Sequence, residues 1–521
     1  MIHLLATALV LPAIDYTTIL PELILLGWML VLLAVSALVS RTIPTEAYAA
    51  ATSGAGIASL IASLILWHDV QDHGASSAIA HAVAVDGFTC FVYVLISCVV
   101  ILAPFFGASF LRREQMAGPE YYVLALIAAA GAMLMGSADD LILIFLGLEV
   151  LSLPLYVMAG FDHRSEGSTE AAMKYFVLGA FSSAVFVYGI ALTYGATGSI
   201  NLAEIGAFLA RNTVLSNGVL LAGLVLLIAG FGFKIAAVPF HMWTPDVYEG
   251  SPTPAVGFMA AVAKVGGFAA LLRVLFSSYP TLASDWQPIL WILATATLLT
   301  GAVVALVQRD VKRMLAYSSI NHAGFVLLGV QAATERGRSG ALYYLFAYAL
   351  LVLGSFAVVA IVGGRGDEAH DLESYRGLGR RAPTLAIAFA VLLLAQAGAP
   401  FTTGFFAKFY VVAAAVDAHS YALAVIAMVS ASIAVFFYLR VVLLMFGEAP
   451  AVDEEVAEQA AAGASGGGTA LALRQLDATR ALVLDNWALS GLGIVVLATL
   501  FFGIWPQPLV SFAHDATLLF R

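Results

Sequence analysis

The chain has 521 residues, 62% hydrophobic and 11% charged, with a mean hydropathy of +0.96 and a formal net charge of −10. A soluble domain carries about 25% charged residues, so this composition excludes a soluble globular enzyme and points to a polytopic membrane protein with little mass outside the lipid. The acidic balance comes largely from loops and says little about partners, and no basic patch marks nucleic-acid binding.

Met1–Pro12 lacks the basic start and the Ala-x-Ala site of a cleaved signal and reads as a lead into the first span. A spanning helix needs about 20 apolar residues. Fourteen candidate spans begin near Leu20, Tyr48, Phe91, Tyr121, Leu141, Ala171, Leu215, Val256, Ile289, Met314, Leu342, Thr384, Tyr421 and Trp487. Strict alternation over ten-residue blocks is absent, which argues against a β-barrel. The predicted fold is all-α, a polytopic bundle of about fourteen membrane helices. Cys90 and Cys98 lie eight apart on one predicted helix without His or Cys company, so neither a disulfide nor a metal site is indicated. Odd-numbered loops and their flanks hold fifteen of the 23 basic residues, whereas even-numbered ones and the C-terminus hold Arg211, Arg273, Arg336, Arg338 and Arg521. The positive-inside rule places odd loops in the cytoplasm and both termini outside. Residues 447–484 read as a flexible cytoplasmic loop, acidic at Asp453, Glu454, Glu455 and Glu458 and glycine-rich at Gly463–Gly468; the sharper alternative is a docking surface for a partner subunit.

Two apolar segments are interrupted. One, Gly218 to His241, is expected to break around Gly230–Lys234 and again at Pro239; the other, Thr384 to Val416, at Gly398–Gly404. Paired broken helices in corresponding positions mark ion paths in many transporters. Five spans separate them, which predicts two inverted five-helix repeats, helices 4–8 and 9–13. The expected division is 1–115 for the first three helices, 116–280 and 281–446 for the repeats, the loop 447–484, and 485–521 for the last helix.

The chain has five lysines, and three of them, Lys234, Lys264 and Lys408, lie inside these apolar segments. A charge at the bilayer centre costs roughly 2.5–3.5 kcal/mol even on lenient scales. Lys174 and Lys312 sit at segment ends, where snorkelling lowers the cost. Glu149 lies about 12 Å into the fifth span at 1.5 Å per residue; Lys234 is its candidate counter-charge, and a static ion pair is the alternative. Lys264 has small neighbours that leave room for close packing or for water. Lys408 follows the second break, where freed backbone groups call for protein or water partners. His322, beside Ser318, Ser319 and Asn321, is either a packing residue or part of a polar track. His241, after Pro239, is a candidate proton entrance or a loop contact. A line of titratable groups is what proton movement through hydrocarbon requires. No nucleotide loop, haem pair or zinc set appears, and Gly466–Gly468 follows no strand, so it is linker.

The stretches Phe233–Gly250, Leu146–Tyr156 and Tyr317–Gly324 closely resemble the subunit N family of bacterial NADH:quinone oxidoreductase, respiratory complex I. Subunits L and M and sodium/proton antiporter subunits share the Pro-x-His-x-Trp-x-Pro-Asp core but differ around the glutamate. The resemblance implies a proton-translocating subunit in which Glu149 and Lys234 form a charge-coupled pair. It makes Lys264 the central relay and leads Lys408 to the periplasmic exit, with His322 between the two lysines. It implies no redox centre and no bound cofactor or metal in this chain. NADH, FMN, iron–sulfur clusters and quinone are expected in partner subunits. Antiporter-like subunit M, the small subunits K, J and A, and membrane lipids are the expected partners, in the bacterial inner membrane. The family usually has a double proline at the twelfth-helix break, where Phe401 replaces the second one. The alternative is a subunit of a sodium/proton antiporter driven by gradients alone.

Overall fold

The computed structural model describes residues 15–39, 43–116, 118–212, 218–448, 482 and 485–519. The first six helices are α1 (Leu20–Val39), α2 (Thr45–His73), α3 (Gly87–Arg113), α4 (Glu120–Ser137), α5 (Leu141–Ala159) and α6 (Glu166–Thr197). A hairpin, β1 (Ser76–Ala78) and β2 (Val83–Val85), sits between α2 and α3, with Ser76 opposite Val85. Next come α7 (Leu202–Arg211), α8 (Gly218–Ile235), α9 (Trp243–Gly250) and α10 (Thr253–Ser278). The second half holds α11 (Ala283–Val307), α12 (Val311–Gln331), α13 (Glu335–Val362), the single turn α14 (Leu378–Arg381), α15 (Pro383–Ala397), α16 (Thr403–Asp417) and α17 (Tyr421–Phe446). The chain closes with α18 (Asn486–Ile504) and α19 (Gln507–His514).

Side-chain oxygens start many of these helices by taking orphan amides. Asp86 caps α3, Asp140 α5, Ser165 α6, Asp310 α12 and Thr334 α13. Among the described residues twelve helices are long and apolar enough to cross a membrane, so this is a multi-pass membrane protein. Two of the fourteen predicted spans fall outside that set. The tenth forms α12, whose charged and polar residues lower its hydropathy; the twelfth divides into α15 and α16, each too short alone. Helices α10 and α13 are buried almost throughout. Apolar side chains on α1, α6, α11 and α17 point outward, among them Leu30, Phe181, Ile292 and Phe436. A helix hydrophobic all round is at home in lipid or in a core, not in water.

The loops gather at two ends. At one, Arg164 donates to the Glu114 carbonyl, Gly366 to the Glu114 carboxylate, and Asp310 pairs with Asp371. At the other, β2 pairs with Ala138, Asp140 with Asn201, and Leu519 donates to Asp86.

Three sequence expectations need correction. Helix α8 runs unbroken through Gly230–Lys234 to Ile235; a Cβ at Gly230 would lie 2.7 Å from Phe186, so that glycine serves close packing against α6. Lys312 does not snorkel: it is 2% exposed, bonded to Ser251 and Asp367. Arg273, counted with the loops, lies within α10 and is buried. Met1–Pro12, Arg41 and nearly all of the acidic loop lie outside the described residues.

Candidate functional site

Both interruptions end a helix in the same way. A helix leaves its last carbonyls without partners, and a left-handed residue just past the end lets the next two amides turn back to them. After α8 the left-handed residue is Ala236, φ 58°; its amide reaches Phe233 at 3.1 Å and that of Ala237 reaches Gly232 at 2.8 Å. The Phe233 carbonyl also accepts from the Trp243 indole at 3.0 Å, and the Val238 amide donates to Thr297 at 3.0 Å. After α15 it is Gly398, φ 97°, with its amide 3.0 Å from Ala395 and that of Ala399 2.9 Å from Leu394. One further carbonyl, Ala397, accepts from the Lys408 ammonium at 2.8 Å. The break expected on Pro400 and Gly404 is present with Phe401 exposed beside it.

Lys234, in the last turn of α8, is 2% exposed. Its Nζ donates to Ser152 Oγ at 2.8 Å and stands 5.8 Å from the Tyr175 ring centre. Ser152 in turn donates to the Leu148 carbonyl. Glu149, half-buried one turn earlier on α5, accepts from Ser183 of α6. Among the described residues no ion pair joins Glu149 to Lys234, although each lies within electrostatic reach of the other. A Cβ at Gly267 would come 3.3 Å from Lys234 Cγ, so α10 passes close beside it.

Lys264, midway along α10 and 3% exposed, donates to the Ser319 carbonyl of α12 and stands 5.4 Å from the Tyr348 ring centre. The Ser319 hydroxyl meets the Tyr348 hydroxyl at 2.7 Å. His322, one turn along α12, is held between Tyr344 (2.7 Å from Nδ1) and Tyr438 (3.1 Å from Nε2). Tyr438 also pairs with Ser318 and donates to Gln396 at 3.4 Å; Gln396 donates to Ser355 at 2.7 Å. The charges of Lys264 and Lys408 both reach His322. Lys408, 8% exposed, sits 5.0 Å from the Phe325 ring centre.

Lys264, His322 and Lys408 are thus brought around α12, with Lys234 behind α10. Asn321 turns away, bonding the Leu298 carbonyl at 2.8 Å and Ser430 at 2.6 Å. His241 lies in the turn between α8 and α9, its Nδ1 buried without a partner. Sequence reading missed Ser152, Ser183, Tyr344, Tyr348, Tyr438 and Gln396. Tyr344 and Tyr348, four apart in an apolar run, and Gln396, beside the Gly398 break, were the available signals. Tyr438 gave none.

At the end with Asp310 and Asp371, a cavity of about 500 Å³ opens between α6, α9 and α12, lined by Glu170, Lys174, Asp246, Glu249, Lys312, Arg313 and Asp367 among others. Burial pushes the Asp367 carboxyl up, but Lys312 at 3.3 Å, His370 at 3.2 Å and the Thr253 bonds outweigh it and hold the carboxyl well below its ordinary range.

Residues 138–434 match the family model described as NADH:quinone oxidoreductase/Mrp antiporter, transmembrane. The chain is 40% identical over 524 residues to NADH-quinone oxidoreductase subunit N 2 of Roseiflexus castenholzii, covering 98% of each. It is 45% identical over 370 residues to subunit N of Trichlorobacter lovleyi, covering 71% of this chain and 76% of that protein. Among solved structures it is similar to a chain of respiratory complex I from Thermus thermophilus, with a TM-score of 0.74, 31% identity, and 94% and 98% of the two chains covered.

Proposed function

The chain belongs to the subunit N family of NADH-quinone oxidoreductase, and we propose that it moves protons across the bacterial inner membrane as one subunit of complex I. The observation that carries this reading is the set of three buried lysines whose hydrogen bonds, among the described residues, go to neutral oxygens: Ser152 Oγ for Lys234, the Ser319 carbonyl for Lys264 and the Ala397 carbonyl for Lys408. A charge buried in the membrane without a contacting carboxylate is costly, and such residues mark ion and proton pathways.

Glu149 and Lys234 act as the charge-coupled pair through the electrostatic field between them, without direct contact. Lys264 is the central relay, His322 with its tyrosine partners lies between it and Lys408, and Lys408 leads to the outer side. Protons enter from the cytoplasmic end, where His241 and the charged cavity lie; both termini face outward. The two breaks are the bistable elements, one in each five-helix repeat, 116–280 and 281–446. This chain binds no redox cofactor. Quinone reduction in partner subunits, with subunits M, K, J and A as neighbours, supplies the energy. The identity to subunit N relatives favours this over a gradient-driven sodium/proton antiporter subunit.

Lys234→Ala and Lys264→Ala are expected to cut proton translocation in the assembled complex reconstituted in vesicles, read as protons moved per NADH oxidised. Unchanged stoichiometry in both variants, with normal assembly on native gels, would overturn the reading.

A further inference from the structure

At the end of the bundle that bears the β1–β2 hairpin lies a charge cluster outside the lysine track. Arg273, 1% exposed, gives its two terminal nitrogens to Asp86 at 2.8 and 2.9 Å and its Nε to the Gly136 carbonyl at 2.7 Å. Asp86 is completed by the amides of Thr89 at 2.8 Å and Leu519 at 2.9 Å. The two form a closed, neutral pair.

Asp139, on the linker from α4 to α5, faces the same guanidinium and is also 1% exposed. Neither of its carboxyl oxygens accepts a hydrogen bond. The adjacent amide of Asn201 has given both hydrogens to main-chain carbonyls, that of His81 at 2.8 Å and that of Asp139 itself at 3.0 Å. The charged groups facing Asp139 are Arg273 from α10, Asp86 from the start of α3 and Asp140 from its own linker. One cation already committed to Asp86 does not neutralise a second buried acid. An ionised carboxylate buried without donors is among the most costly groups a fold holds, and protonation removes the charge. Burial pushes the Asp139 carboxyl up to about 7, outweighing the opposing pull of Arg273 and of the neighbouring Asn201 side chain.

We propose that Asp139 is a proton-binding site at this end of the bundle, taking up a proton and releasing it past the hairpin that covers it. The hairpin turn packs directly against the linker: the Ala82 carbonyl accepts from the Asp139 amide at 2.7 Å, while His81 beside it is exposed. On release the carboxyl O–H bond breaks, its electron pair stays on the carboxylate, and the proton passes to water. The charge left behind is stabilised by Arg273. The assignment of this end to the outer side rests on the function proposed above.

The test is infrared titration of the assembled complex, comparing the native chain with Asp139→Asn. Asp140→Asn, which preserves the α5 cap, serves as the control. The site predicts that Asp139→Asn alone loses one protonated-carboxyl C=O band that titrates around neutrality. Identical spectra in the native complex and Asp139→Asn would overturn it. So would failure of Asp139→Asn to assemble, since an amide has the shape and neutrality of the protonated acid. The band is read without turnover. Its absence beside a clear defect in Lys234→Ala or Lys264→Ala removes the site and leaves the function standing; normal translocation in both variants removes the function, while the presence or loss of the band still decides the site.

Discussion

The lysines divide by what they touch. Lys174 pairs with Glu170 and Asp246 at 2.8 Å each, and Lys312 with Asp367; Lys234, Lys264 and Lys408 meet only uncharged acceptors among the described residues. A carboxylate within about 4 Å fixes a charge in place, so the first two are held as ion pairs and the last three have no such anchor among the described residues. Burial of the three was legible, because a lysine inside an apolar segment is itself the signal. Their partners were not, since two are backbone carbonyls, Ser319 within α12 and Ala397 at the end of α15, and a carbonyl carries no sequence mark. Ser152 is the one side-chain acceptor. A hydrogen bond to a charged group contributes about 1.5–3 kcal/mol, so Ser152→Ala is expected to lower proton translocation several-fold, less than Lys234→Ala, while Ser152→Thr retains most of it. Translocation equal to the native complex in Ser152→Ala would remove Ser152 from the path.

The two broken helices illustrate how far local sequence specifies an element. Gly398-Ala-Pro400 announces a helix stop, and α15 ends one residue before it. At α8 the glycines at 230 and 232 suggested a break, yet the helix passes through both and turns at Ala236, a residue with no propensity for φ 58°. Tertiary bonds hold that turn: Trp243 and Thr297 occupy backbone groups that would otherwise be unpaired in lipid. Gly398 is different, since its left-handed φ costs any L-residue about 1–2 kcal/mol and a Cβ there would stand 3.1 Å from Lys408 Cδ. Gly398→Ala is therefore expected to lower the thermal midpoint and to impair translocation through Lys408. Gly54→Ala, inside α2 with open space at its Cβ, should leave both unchanged or gain slightly in stability. Equal midpoints for the two variants would show that the turn tolerates a side chain.

At the scale of the molecule, fixed ion pairs tie the two ends and the polar track runs between them. Arg273 and Asp86 join α3, α4 and α10 to the C-terminal segment; Asp367 joins α10, α12 and the loop after α13 through Thr253, Lys312 and His370. Because the folded Asp367 carboxyl is depressed, its stabilising contribution is fully present above the unfolded value of about 4 and is lost as pH falls through the lower folded value. Asp367→Asn should therefore melt earlier than the native protein at pH 7, with the two melting curves converging as the pH is lowered below about 4. Parallel curves down to acid pH would assign the difference to packing alone. The sequence by itself determined the membrane class, the order of spans, the three misplaced lysines and the family, because hydropathy, buried charge and motif spacing are properties of consecutive residues. Tertiary structure alone decided that Lys312 and Arg273 are static, that Glu149 and Lys234 do not touch, and that Tyr344, Tyr348, Tyr438 and Gln396 surround His322. Those outcomes depend on which helices pack together, and in a uniformly apolar chain the identity of a helix's neighbour leaves little trace in its own residues.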